Sequence, residues 1–151
     1  MHTHQTHRRA LSGILTAAAL ALGGFSLSAA ADDLKFKLSG DMEVPPVTTA
    51  ATGMANVTVK PDMSVSGKVT TTGLPGTMAH IHNGKLGVNG PVIVTLEKDG
   101  DNGWMVPAGT KLSEAQYHAY QAGELYINVH SAEHKSGEIR GQMNPPMGGM
   151  H

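Results

Sequence analysis

The chain has 151 residues, 11 basic against 12 acidic, a formal net charge of −1 with its nine histidines neutral, and no cysteine. A balance this close to neutral offers no electrostatic footprint for nucleic acid or an anionic membrane surface. The lack of cysteine excludes disulfides, thiolate catalysis, zinc fingers and iron–sulfur clusters, so a bound metal must be held by His, carboxylate or Met.

The N-terminus has the three-part pattern of a secretory signal peptide. His7-Arg8-Arg9 is a basic start, Leu11 to Leu27 is apolar and small, and Ser28-Ala29-Ala30-Ala31 precedes Asp32 and Asp33. Cleavage is expected after Ala31, with Ala30 nearly equivalent. The apolar run is short and interrupted by Gly13, Gly23 and Gly24, so no stable membrane span is expected after processing. Arg8-Arg9 leaves both the general secretory and the twin-arginine routes open. The expected location is periplasmic or secreted, and His2, His4 and His7 leave with the leader. Removing residues 1–31 of 151 leaves 120 residues, nine basic and twelve acidic, enough for one domain with a modest core.

Period-2 alternation and frequent turn signals predict an all-β domain over residues 32–143. Strands are expected near Leu34–Leu38, Gly53–Lys60, Ser64–Thr71, Met78–Asn83, Val92–Glu97, Glu124–His130 and Glu138–Gln142. Ala55, Val57 and Val59, and Val65 and Val69, mark one buried face on the second and third. Glu43-Val44-Pro45-Pro46 reads as a rigid turn. Further turns fall at Lys60–Met63, Gly73–Gly76 and Gly87–Pro91, with a polar turn cluster at Lys98–Gly103. One helix is predicted, with Ser113 as N-cap, Glu114 in its first turn, Ala115 to Gln121 as its body and Gly123 as its stop. Seven short strands with one short helix argue a Greek-key β-sandwich or barrel. The Pro- and Gly-rich tail, residues 144–151, is expected to be disordered.

Two of these strands carry the chemistry. In Ala79-His80-Ile81-His82, Ala79 and Ile81 can face the core while His80 and His82 face away together. In Leu125–His130, Leu125, Ile127 and Val129 point one way, and Tyr126, Asn128 and His130 the other. If the two strands lie close in one sheet, three imidazoles converge on one polar patch, an arrangement suited to a metal ion. The alternative for each imidazole is a hydrogen-bonded structural histidine. His134, four residues beyond His130, either folds back as a fourth ligand or points to solvent. Glu138, Arg140 and Gln142 share a face of the last strand. There Glu138 can orient a ligand imidazole, and Arg140 can guide an anion. Glu138 and Arg140 can equally form a local ion pair. Tyr126 and Asn128 are candidates for groups flanking the ligands. Met147, Met150 and His151 offer soft donors in the tail.

Six ordered blocks of the sequence resemble the CHRD (chordin-type) domain family, which includes small exported bacterial proteins. They are Leu38 to Val47, Ala51-Thr52-Gly53, Ala79-His80-Ile81-His82, Asn89-Gly90-Pro91-Val92, Gly123 to His130, and Gly137-Glu138-Ile139-Arg140-Gly141-Gln142. The resemblance spans Leu38 to Met143 and implies an all-β extracellular domain. Copper–zinc superoxide dismutase, a Greek-key sandwich with a His-x-His strand pair at copper, is a looser analogy. Imidazole suits copper, zinc, iron and nickel alike; the analogy favours copper over iron or zinc.

Three functions follow. The first is an exported protein that binds a transition metal, favouring copper, through His80, His82, His130 and His134. The second is a redox metalloenzyme of superoxide-dismutase type. The third is a non-catalytic extracellular interaction module. No phosphate loop, Ser–His–Asp set or carboxylate pair supports hydrolase or kinase chemistry.

Overall fold

The computed structural model describes residues 29–147. The predicted signal peptide lies almost wholly outside the described residues, as do Met150 and His151 of the tail. Nine strands form one antiparallel sheet: β1 (Asp32–Ser39), β2 (Thr52–Val59), β3 (Val65–Thr72), β4 (Gly76–Asn83), β5 (Val92–Thr95), β6 (Glu97–Lys98), β7 (Gly103–Met105), β8 (Leu125–Ser131) and β9 (Ile139–Met143). Their order across the sheet is β5-β4-β8-β9-β1-β2-β3-β7-β6. The two end strands, β5 and β6, are separated in sequence by Leu96 alone. The Leu96 N–H donates to the Ala79 carbonyl on β4 at 2.9 Å, while Glu97 and Lys98 pair with β7. The sheet thus returns to its own start as a nearly closed barrel, a closure that leaves little free edge.

The alternation seen in the sequence fills the interior. Leu34, Leu38, Ala55, Val57, Val59, Val65, Val69, Ala79, Ile81, Trp104, Leu125, Ile127, Val129, Ile139 and Met143 are all buried in one apolar cluster. The β2–β3 turn is held by Asp62, whose Oδ1 accepts from the Ser64 N–H at 3.1 Å and from its hydroxyl.

The helix, α1 (Glu114–Gln121), begins at Ser113, whose hydroxyl accepts from the Gln116 N–H; the Gln116 side chain accepts in return from the Ser113 N–H. This reciprocal pairing satisfies two of the helix's free donors. Gly123, at φ +72°, turns the chain out of it. Tyr120 is fully buried, and its hydroxyl donates to Asp32 Oδ2 at 2.9 Å, tying the helix to the first residue of β1.

The strand count exceeds the seven expected. Gly103–Met105 is a short strand rather than the end of a polar turn, and the segment expected at Val92–Glu97 divides at Leu96 into β5 and β6. Three residues with one buried side chain, Trp104, are too few to show a period. Among the described residues, no helix is long and apolar enough to cross a membrane.

Candidate metal centre

Strands β4, β8 and β9 lie side by side, and their register sets the outward face. His80 is opposite Asn128, which is opposite Arg140; His82 is opposite Tyr126, which is opposite Gln142; Met78 is opposite His130. Because Ala79, Ile81, Ile127, Val129 and Ile139 point inward, all these polar groups share the outer side of the barrel. They are nevertheless buried: His80 is 9% exposed, His82 8%, His130 6% and Arg140 0%. Three connections supply atoms over them: residues 40–49 bring in Glu43, residues 84–91 bring in several carbonyls, and residues 132–137 form the turn after β8.

Each His80, His82 and His130 offers a ring nitrogen within 4.8 Å of those of the other two. His82 Nδ1 lies 2.9 Å from the Gly90 carbonyl, and His130 Nδ1 lies 2.8 Å from the Lys135 carbonyl. A carbonyl can only accept, so both rings carry their proton on Nδ1 and present an Nε2 lone pair. His130 Nε2 is 2.9 Å from His80 Nδ1. His82 Nε2 is buried and forms no well-aligned hydrogen bond, although the Asn128 side chain lies near enough to the ring to favour its charged form. Burial, then the nearby charge of His130 and His82 when protonated, pushes His80 down to about 4. Burial also lowers His82, against the opposing pull of the Gly90 carbonyl and Asn128. Both rings are therefore neutral at pH 7, the form a metal requires. Two preset Nε2 lone pairs, that of His82 and that of His130, which faces His80 Nδ1, together with the third imidazole form a group that can hold a metal ion.

The approach of Gly90 to His82 depends on its lack of a side chain. A Cβ there would collide with the Asn83 carbonyl. Beside the histidines, the His82 and Tyr126 rings stack at 4.7 Å and 3°. The Arg140 guanidinium carbon sits 3.4 Å from the Tyr126 centroid, approaching from the β9 side. Tyr126 Oη accepts from the Gly90 N–H at 3.2 Å, which fixes the loop carbonyl that His82 uses. Arg140 donates to the Lys85 and Val88 carbonyls at 2.9 and 3.1 Å, and Gln142 to those of Gly84 and Gly123 at 2.9 and 2.8 Å. These bonds pin residues 84–91 to the sheet.

Glu43 completes this polar layer. It is 5% exposed, and burial pushes its carboxyl up to about 7, with Arg140 and Asn128 pulling only partly the other way. Gly137, at φ +128°, passes so close that a Cβ would strike Glu43 Oε1 and Asn128 Nδ2. Glu43 Oε1, Asn128 Oδ1 and Arg140 Nε are buried without partners.

The expected site residues therefore divide. His80, His82 and His130 come together. His134 is not in the group; its backbone shapes the turn, its carbonyl accepting from the Ser131 and Gly137 N–H groups at 3.3 and 3.1 Å. Glu138 forms no hydrogen bond to an imidazole and no ion pair with Arg140: its Oε1 accepts from the Thr49 hydroxyl at 2.7 Å. The task of orienting the rings, expected of Glu138, falls to the carbonyls of Gly90 and Lys135. Arg140 has no exposed surface with which to guide an anion, and its hydrogen bonds hold a loop instead. Tyr126 stacks on His82, and Asn128 lies opposite His80. Glu43 and Gly137 were not anticipated as part of it. The one sequence signal for Glu43 is a charged residue between a strand and a Pro-Pro turn, which reads more simply as surface.

A family model described as the CHRD domain matches residues 34–143. No curated protein and no solved structure matches the chain.

Proposed function

The chain belongs to the CHRD-domain family, and from that membership and the histidine group we propose an exported protein whose domain binds one transition-metal ion, copper before zinc or iron, through His80, His82 and His130. The observation that carries this reading is His82 Nε2: a buried lone pair without a well-aligned hydrogen bond, on a ring whose other nitrogen is locked by the Gly90 carbonyl. An unsatisfied buried acceptor costs about 1–3 kcal/mol, and a cation at that point removes the cost. Copper is preferred because three neutral imidazoles suit it and its affinity exceeds that of zinc at such donors. Export is supported by the leader-like N-terminus, and the expected location is the periplasm or the exterior. The test is metal analysis of protein recovered from its native compartment, followed by titration of the His80→Ala/His82→Ala variant. A full equivalent of tightly held metal in that variant would sink the proposal.

A redox enzyme of superoxide-dismutase type uses the same ligands. It is favoured by His134 lying outside the group, since three protein donors leave a coordination position for a small substrate. Dismutation by the copper-loaded wild type and its loss in the double variant would establish turnover; an inert copper protein would leave binding as the function.

A further inference from the structure

The outer face of β4 carries one more donor in line with the histidines. Met78, His80 and His82 follow at i, i+2 and i+4, with Ala79 and Ile81 turned into the core. Met78 lies directly opposite His130. Opposed residues of an antiparallel pair have Cβ atoms about 4.5–5.5 Å apart, so the flexible Met78 thioether is within reach of the His130 ring. That ring's Nε2 is the atom 2.9 Å from His80 Nδ1. The burial pattern is inverted from the usual one: the imidazoles are 6–9% exposed, whereas the apolar Met78 is 48% exposed.

We propose that Met78 is a thioether ligand that makes this centre selective for Cu(I). The inference rests on the three-histidine reading and adds to it an oxidation-state preference. Thioether sulfur is a soft donor that selects Cu(I), while imidazole serves Cu(I), Cu(II) and Zn(II). With no cysteine in the chain, methionine is the sulfur donor available. A thioether carries no proton, so its contribution does not weaken in acid as that of an imidazole does. Its exposure gives an arriving ion a first contact before it reaches the buried nitrogens.

The test uses the full exported chain, Met78→Leu and His80→Ala/His82→Ala. Cu(I), kept reduced with ascorbate, is titrated against bicinchoninate, and Zn(II) against a chromophoric chelator. Met78→Leu should bind Cu(I) roughly tenfold or more weakly, with Zn(II) affinity within about twofold of wild type. X-ray absorption of the Cu(I) form should contain copper–sulfur scattering in wild type that vanishes in Met78→Leu. Equal Cu(I) affinity in wild type and Met78→Leu, or an equal loss of Cu(I) and Zn(II), would overturn the role of Met78 and leave the histidine site standing. Cu(I) binding that survives loss of both His80 and His82 would overturn the histidine site, and this proposal with it.

Discussion

Acid acts on the metal-free domain through two buried groups that oppose each other. Folding holds His80 neutral down to about 4, against 6.5 for the ordinary side chain. Between those values the unfolded chain binds a proton that the folded one refuses, so stability falls as the pH drops. His82, also lowered, adds to the same trend. Folding raises Glu43 from 4.5 to about 7. Here the folded state binds the extra proton, so stability rises as the pH drops from about 7 to 4.5. Each shift is about 2.5 pH units, an upper limit of about 3 kcal/mol. The wild-type stability should therefore change little between 6.5 and 4.5, and single variants should expose the hidden slopes. Glu43→Gln should lose about 2–3 kcal/mol relative to wild type as the pH falls through this window, and His80→Gln should gain a similar amount. Urea unfolding in the presence of chelator, followed through the single, buried Trp104, measures both. Variants whose pH slopes match wild type, or that slope in the same direction, would refute the assignment of opposing protonation states.

Metal should raise the melting temperature of the intact fold, by about 2.7 kcal/mol of added stability at a free ion concentration about 100 times Kd; a chain unfolded by chelator alone would contradict the barrel's self-sufficient core. His134→Ala should leave metal affinity within about twofold of wild type, since that residue shapes a turn outside the ligand group; isothermal titration decides it. Metal binding should release few protons from His80 and His82 near neutral pH, so binding enthalpy at pH 7 should depend weakly on the buffer's ionisation enthalpy. Gly137→Ala should cost about 2 kcal/mol or more, because its Cβ would meet Glu43 and Asn128 at a backbone angle foreign to alanine; an unchanged urea midpoint would show that this layer yields freely.

The parts legible in the sequence are those governed by a local period. Alternation identified the core faces of β2 and β3, and the i, i+2 spacing of His80 and His82 with the parity of His130 placed three imidazoles on one side before any pairing was known. The helix was legible through Ser113 and Gly123 because caps are local chemistry. What escaped depends on partners distant in the chain. Arg140 looked like a surface cation because nothing nearby shows that residues 84–91 fold over it. Glu138 looked like the natural partner of an imidazole, yet Thr49, 89 residues away, takes its hydrogen bond. The atoms that orient the rings are backbone carbonyls, and any residue type can supply a carbonyl, so composition leaves no trace of them. Glu43 was hidden for the same reason: its burial comes from β8, β9 and the turn at Gly137.

The place of β9 in the sheet order bears on how the chain is made. The last strand lies between β8 and β1, and Arg140 pairs with Ser39. The final stretch of the domain is thus the wedge that joins its beginning to the rest. Until Ile139–Met143 is present, β8 and β1 each present an unpaired edge, and Arg140 and Gln142 are not there to fasten the loop over the histidines. Loop-closure entropy makes such end-to-end pairing a late event in folding. A chain without Ile139–Met143 is expected to stay an open sheet, with β8 and β1 unjoined. The barrel and the loop over the histidines are then completed together, by the same strand.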